Sequence, residues 1–225
     1  VDDLRATNPA SNEPLLDALA AHLIEVDYDL KRFTRTILES QVYQLSSATT
    51  DSNRLDEQNY SRAAWKPLPA EVLLDAICSA TGIAHEFDGL PSGLKAIELW
   101  DSRLPSSFFQ VFGRPTRTTV CTCERGVEPS MAQALHLMNS EETSAKIRNR
   151  RGRAATLSES ALSNGEIVDQ LYLATLSRFP TDEERRLMTS VFEDLEAIEA
   201  ADGRQTATED VLWTLLNTKE FASNH

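Results

Sequence analysis

Cysteine is scarce in this 225-residue sequence: Cys78, Cys121 and Cys123 are the whole complement. Three thiols are too few to staple a disulfide-built scaffold, and an odd number leaves at least one free or paired outside the chain. No CxxCH occurs, so the chain cannot itself attach a c-type haem. HExxH and GxSxG are also missing, which removes the zinc-hydrolase and nucleophile-elbow signatures. No run of about 18 apolar residues exists, so no membrane-spanning helix is expected. Glycine (8) and proline (9) are sparse, which argues against a low-complexity or disordered chain. Positive charge is in short supply too. Lys and Arg number 22 against 35 Asp and Glu, and the net charge of −13 repels polyanions at long range. No signal peptide is recognisable, and the chain opens on VDDLRATNP without a methionine. That reads as a piece excised from a longer protein, with targeting information missing rather than absent.

What is present is helical periodicity. SNEPLLDALAAHLIEV has Ser11 or Asn12 as a cap, Pro14 in the first turn, and Leu16, Leu19, Leu23 and Val26 on one face. Asp29 caps LKRFTRTILESQVYQL, with Leu30, Phe33, Ile37, Leu38 and Leu45 predicted inward, and the VDYD link makes the two an antiparallel pair. Residues 46–62 are almost wholly polar and read as an exposed loop. A helix from about Pro69 to Ala80 ends at Gly82. Near the end, Asn164 is the predicted cap of GEIVDQLYLATLSR. Thr181 with Glu184 forms a capping box for a stripe of Leu187, Met188, Val191, Phe192, Leu195 and Ile198. Thr206 with Glu209 repeats that logic before VLWTLLNTKEFA. The fold class expected is all-α: a single domain over 1–225, an irregular bundle of antiparallel helix pairs. It carries one long irregular segment at 83–128, where AIELW and SFFQVF have room to form a short hairpin.

That segment and the helix after it, PSMAQALHLMN, hold the candidate chemistry. Cys121 and Cys123 leave three readings open: structural thiols, a disulfide (geometrically freer to Cys78 than between the two), or metal and redox work with His136. No fourth metal ligand is signalled, so no metal site is assigned. On a helical wheel, Met131, Ala134, Leu135 and Met138 share one face. Gln133 and His136 fall on the other, facing the preceding irregular chain or a cleft. Arg103, Arg114, Arg117 and Arg125 either grip an anionic ligand or tie loop carbonyls and acidic side chains together. KIRNRRGR (146–153) has the charge of a polyanion patch but no interleaved aromatic residue. A solvated helix end is favoured there, and nucleic acid is disfavoured. The acidic run EDLEAIEAAD reads as a solvated helix face. His22 and His85 have no partner visible in sequence.

Three stretches in order, VDDLRATNPASNEPLLDALAAHLIEVDYDLKRFTRTILESQVYQLSS, FGRPTRTTVCTCERGVEPSMAQALHLMN and LYLATLSRFPTDEE, resemble the planctomycete-type C-terminal domain of unknown function called the PSD-one domain. The resemblance spans nearly the whole chain, with Val1 just inside the domain, so an N-terminal helix of it is expected to lie outside this sequence. It implies a multidomain, extracytoplasmic protein (periplasmic or cell-surface) with a second domain of unknown function upstream and often a cytochrome c-like domain. The partners it implies are those upstream domains and a c-type cytochrome. It supplies no catalytic residues, and any haem belongs upstream; no cofactor is assigned to this chain. The function expected is a non-catalytic structural or docking module. The alternative is a ligand-binding, redox or hydrolytic site for a carbohydrate-like or anionic substrate, built from Arg114, Arg117, Cys121, Cys123, Arg125, Gln133 and His136.

Overall fold

Helix α1 (Glu13–Glu25) begins where Asn12 accepts a hydrogen bond from the Leu15 amide, and Pro14 occupies its first turn. Helix α2 (Leu30–Leu38) is capped by Asp29, which takes the amides of Lys31 and Arg32. The link between them uses left-handed backbone at Asp27 and Tyr28. The computed structural model describes residues 7–10, 12–56, 59–100, 104, 106–114, 130–197 and 202–224. It divides into two compact units, the first over 1–65 with residue 225 and the second over 66–224.

In the first unit, Val26 is buried, and Leu19, Leu23, Phe33 and Ile37 are half-buried. His22 joins the helices, with Nε2 3.0 Å from the Thr36 hydroxyl and its ring stacked on Phe33. Two helices cannot cover a wide apolar stripe, so Leu16, Leu30, Leu38 and Leu45, predicted inward, are exposed. The second helix also stops earlier than its periodicity suggested. Ser40 donates its hydroxyl to the Ile37 carbonyl and receives the Tyr43 amide, which replaces helical bonding with turns. The described part of 46–62 is turns and bends, as its polarity predicted.

The second unit opens with β1 (Lys66–Pro67), then α3 (Ala70–Thr81), which ends at Gly82 with φ 74°. Two short helices, α6 (Glu141–Ile147) and α7 (Arg153–Ser158), flank the KIRNRRGR run, which read as a solvated helix end. Helix α8 (Asn164–Leu176) is capped by Ser163 rather than Asn164, in a capping box with Glu166. Helix α9 (Asp182–Ala197) starts at the predicted Thr181–Glu184 box. Helix α10 (Gly203–Leu216) starts three residues before Thr206, whose amide already bonds back to the Asp202 carbonyl; Thr206 is therefore interior, not a cap. After α11 (Lys219–Ala222), β2 (Ser223–Asn224) pairs antiparallel with β1, Lys66 opposite Asn224 and Pro67 opposite Ser223. The C-terminus of the unit is thereby fastened to its beginning.

The core is built on α10. Val211, Leu212, Leu215 and Leu216 are at most 1% exposed, and the helix packs on α6, α7, α8 and α9. From α3 come Leu73, Leu74 and Ile77, from α8 Ile167, Val168, Leu171 and Tyr172, and from α9 Phe192. Each such side chain stabilises the fold by about 1.5–3 kcal/mol relative to exposure. Leu187, assigned by its stripe to the inside of α9, is exposed instead, while Met188, Val191 and Leu195 pack against the core.

The all-α class holds, and the expected hairpin is absent among the described residues. AIELW contains a 3-10 turn (Ala96–Glu98), and SFFQVF is helix α4 (Ser107–Val111). Ser106 decides the latter: its hydroxyl accepts the Phe109 amide, so three phenylalanines that favour a strand wind into a helix and bury Phe108, Phe109 and Phe112.

Candidate functional site

The end of α4 and the start of the next helix are fastened by one side chain. Helix α5 (Met131–Asn139) opens with a capping box between Ser130 and Gln133. The Gln133 Nε2 then donates to the Val111 carbonyl at 3.2 Å, closing α5 onto α4. One turn on, the His136 ring stands edge-on to Phe108 and Phe112, with centroids 5.7 and 5.8 Å away. Gln133 and the buried Leu137 therefore face inward from α5, with the half-buried His136 at the edge of that side. Met131, Leu135 and Met138, which look like the core face on a wheel, are exposed. The phenylalanine cluster and the Val111 carbonyl outcompete a purely apolar contact.

A cleft of about 650 Å³ opens beside His136. Ser107 contributes from α4; Ala132, Leu135, His136 and Asn139 from α5; Ser140, Glu141 and Glu142 from the α6 boundary. Glu142 is anchored from below, its Oε1 lying 2.7 Å from His85 Nδ1. Lys146, one turn further along α6, is buried, donates to the Ala84 carbonyl at 2.9 Å and lies 4.0 Å from Glu142. The His85 hydrogen bond, more than burial opposes it, holds the Glu142 carboxyl below the usual carboxylate range. Beneath this group, burial pushes the Cys78 thiol upward, opposed in part by Lys146. A protonated, half-buried thiol is a poor nucleophile and a poor ligand.

Among the positively charged candidates, Arg114, Lys146 and Arg153 are engaged on the protein itself. Arg114 pairs with Glu71 at 3.1 Å, the two side chains 7% and 10% exposed, and its guanidinium sits 4.6 Å over the Phe109 ring while donating to the Leu99 carbonyl. Within KIRNRRGR, Lys146 holds Ala84, and Arg153 donates to the Ala80 and Ser79 carbonyls at the end of α3. Arg148, Arg150 and Arg151 remain on the surface. Elsewhere Arg204 gathers the carbonyls of Ser158, Ser160 and Leu162 behind α7, and Arg178 forks between Glu184 and Glu220. Arg103, Arg117, Cys121, Cys123 and Arg125 lie outside the described residues.

Chemically, the cleft offers carboxylates, an imidazole, an amide and hydroxyls. Neither His136 ring nitrogen has a hydrogen-bond partner among the described residues, and the Ser107 hydroxyl makes no bond to it, so no nucleophile–base pair is assembled among the described residues. Among the described residues no group of three His, Cys, Asp or Glu is placed to hold a metal ion, and no helix is long and apolar enough to cross a membrane. Sequence reasoning named His85 without its partner and missed Glu71 and Glu142. His85 and Glu142 stand 57 positions apart, and no local pattern joins them.

No curated protein and no solved structure matches this chain. The model of the PSD1 family, described as "Protein of unknown function (DUF1553)", matches residues 1–192. The match ends inside α9, whereas α10 beyond it supplies the centre of the core. On a match over most of its length, the chain belongs to the PSD1 (DUF1553) family of proteins of unknown function.

Proposed function

We propose that this chain is a non-catalytic structural or docking module of a large extracytoplasmic, cytochrome-associated protein. One observation carries the docking role: large apolar side chains stand in solvent on both units. In the first, Leu15, Leu16, Ile24, Leu30, Val42 and Tyr43 are 43–68% exposed; in the second, Met131, Leu135 and Met138 are 48–76% exposed. Large apolar groups left in solvent favour contact with another protein surface. The structural role fits the engagement of Arg114, Lys146, Arg153, Arg178 and Arg204 on carbonyls and carboxylates. The multidomain, extracytoplasmic setting and the c-type cytochrome partner rest on the resemblance to the PSD-one domain, and any haem is placed in an upstream domain.

The experiment is deletion of this module from its parent protein. The docking reading expects the upstream domains to lose assembly or accumulate as degraded species; unchanged assembly and turnover would count against it. The alternative, a site on segment 114–136, retains the cleft beside His136. Its walls carry Glu141 and Glu142, which disfavour an anionic substrate, and Arg114 is committed to Glu71.

A further inference from the structure

Helix α5 carries three stripes. Gln133 and Leu137 face the interior, Ala132, His136 and Asn139 face the cleft, and Met131, Leu135 and Met138 stand in solvent at 76%, 50% and 48% exposure. Successive residues turn by about 100°, so the exposed stripe adjoins the cleft stripe, and Leu135 belongs to both. The stripe rises over about 10 Å, two helical turns, which is the spacing presented by the i, i+3, i+4, i+7 anchors of a partner helix. Methionine suits such a surface because its flexible thioether re-packs around different shapes. Beside the ridge, Glu141 and Glu142 edge the cleft, and no Lys or Arg lines it. Glu142 is fixed by His85, with Lys146 4.0 Å away offsetting part of its charge, so its carboxylate is oriented before anything binds and Glu141 supplies most of the free negative charge at the rim. Glu141 is exposed and available, and the whole chain carries −13.

We propose that this ridge and cleft dock a basic amphipathic helix of a partner protein. Its apolar face lies on Met131, Leu135 and Met138, and a lysine or arginine enters the cleft between Glu141 and Glu142. His136 presents an imidazole with no described hydrogen-bond partner to accept from that cation. An acidic helix meets like charge at the rim, and a small polyol leaves the ridge uncovered. This inference rests on the docking reading above and identifies the surface that serves it.

The test titrates the isotope-labelled chain with a synthetic leucine–lysine amphipathic helical peptide and with its leucine–glutamate twin, following amide shifts. The lysine peptide is expected to shift residues 131–142 with a dissociation constant on the order of tens of micromolar, and the glutamate peptide to give no shifts. Leu135→Ser and Glu141→Lys, both at exposed positions, are expected to weaken binding by about tenfold each. Glu193→Lys on α9 changes the net charge equally and is expected to weaken it less than about twofold. Circular dichroism checks that each variant is folded, with Glu141→Gln as the milder substitute. Equal binding of both peptides, binding of neither, or an equal loss in Glu193→Lys would overturn the proposal. If the peptide fails while the module still associates with its upstream domains, the docking reading stands and the surface is wrong. If the peptide binds and that association is absent, the reverse holds.

Discussion

Arg114 separates a structural arginine from a ligand-binding one. Its guanidinium is 3.1 Å from Glu71, both side chains are at most 10% exposed, and Phe109 lies beneath it. Arg114→Met removes one partner of this pair and leaves a carboxylate in a buried environment. Breaking a buried pair in this way costs about 3–5 kcal/mol, a range that exceeds the ~1 kcal/mol of the Leu99 hydrogen bond lost with it. Glu71→Leu with Arg114→Met removes both charges and keeps most of the volume, so its net cost is expected below about 2 kcal/mol. The two sites then couple by at least about 2 kcal/mol in a double-mutant cycle. Urea unfolding at neutral pH, followed by far-ultraviolet circular dichroism, measures Arg114→Met, Glu71→Leu and the double variant. If Arg114→Met unfolds within about 0.5 kcal/mol of the parent, or the double variant is as damaged as the single, the pair is not structural.

Other consequences follow from the same packing. A Cβ at Gly152 would meet the Asn149, Thr81 and Lys146 carbonyl oxygens at 3.0, 3.2 and 3.3 Å, all backbone atoms; Gly152→Ala is expected to cost about 1–3 kcal/mol in urea unfolding. Leu212→Ala, in the centre of α10, is expected to cost about 2–5 kcal/mol and to lower the thermal midpoint, whereas Leu187→Ala on the exposed side of α9 stays within about 0.5 kcal/mol. Arg178 holds Glu184 at about 2, below its ordinary 4.5. A depressed carboxylate stabilises fully above its unfolded value, so this contribution is present above pH 4.5 and is lost as pH falls from there toward about 2. Because both side chains are about a third exposed, screening reduces it to about 1 kcal/mol, and Glu184→Gln should flatten that part of the acid limb in a pH-dependent unfolding series.

Caps and stripes were the legible part of the sequence. Asn12, Asp29, Gly82 and the Thr181–Glu184 box each act within four residues, and each is found where the sequence placed it. Ser163 was missed by one position because Asn164 is an equally good cap on composition, and the Glu166 carboxylate decides between them. Helices α6 and α7 were not legible because six or seven residues make no periodicity. They are held by distant groups, Lys146 on Ala84 and Arg153 on Ala80. The orientation of α5 was half legible. Gln133 and His136 were rightly set apart from the methionine stripe, but which side met the core depended on Phe108, Phe112 and the Val111 carbonyl. The cleft needs His85 and Glu142 together, and nothing local in the sequence links a loop histidine to a glutamate 57 positions later.

The most direct measurement mixes this chain with the upstream domains proposed for its parent, expressed separately, and follows association by titration calorimetry. The account predicts a complex with a dissociation constant of about 10 µM or tighter, weakened by Leu135→Ser. No heat of binding at about 100 µM, together with loss of parent turnover in His136→Ala, would contradict it.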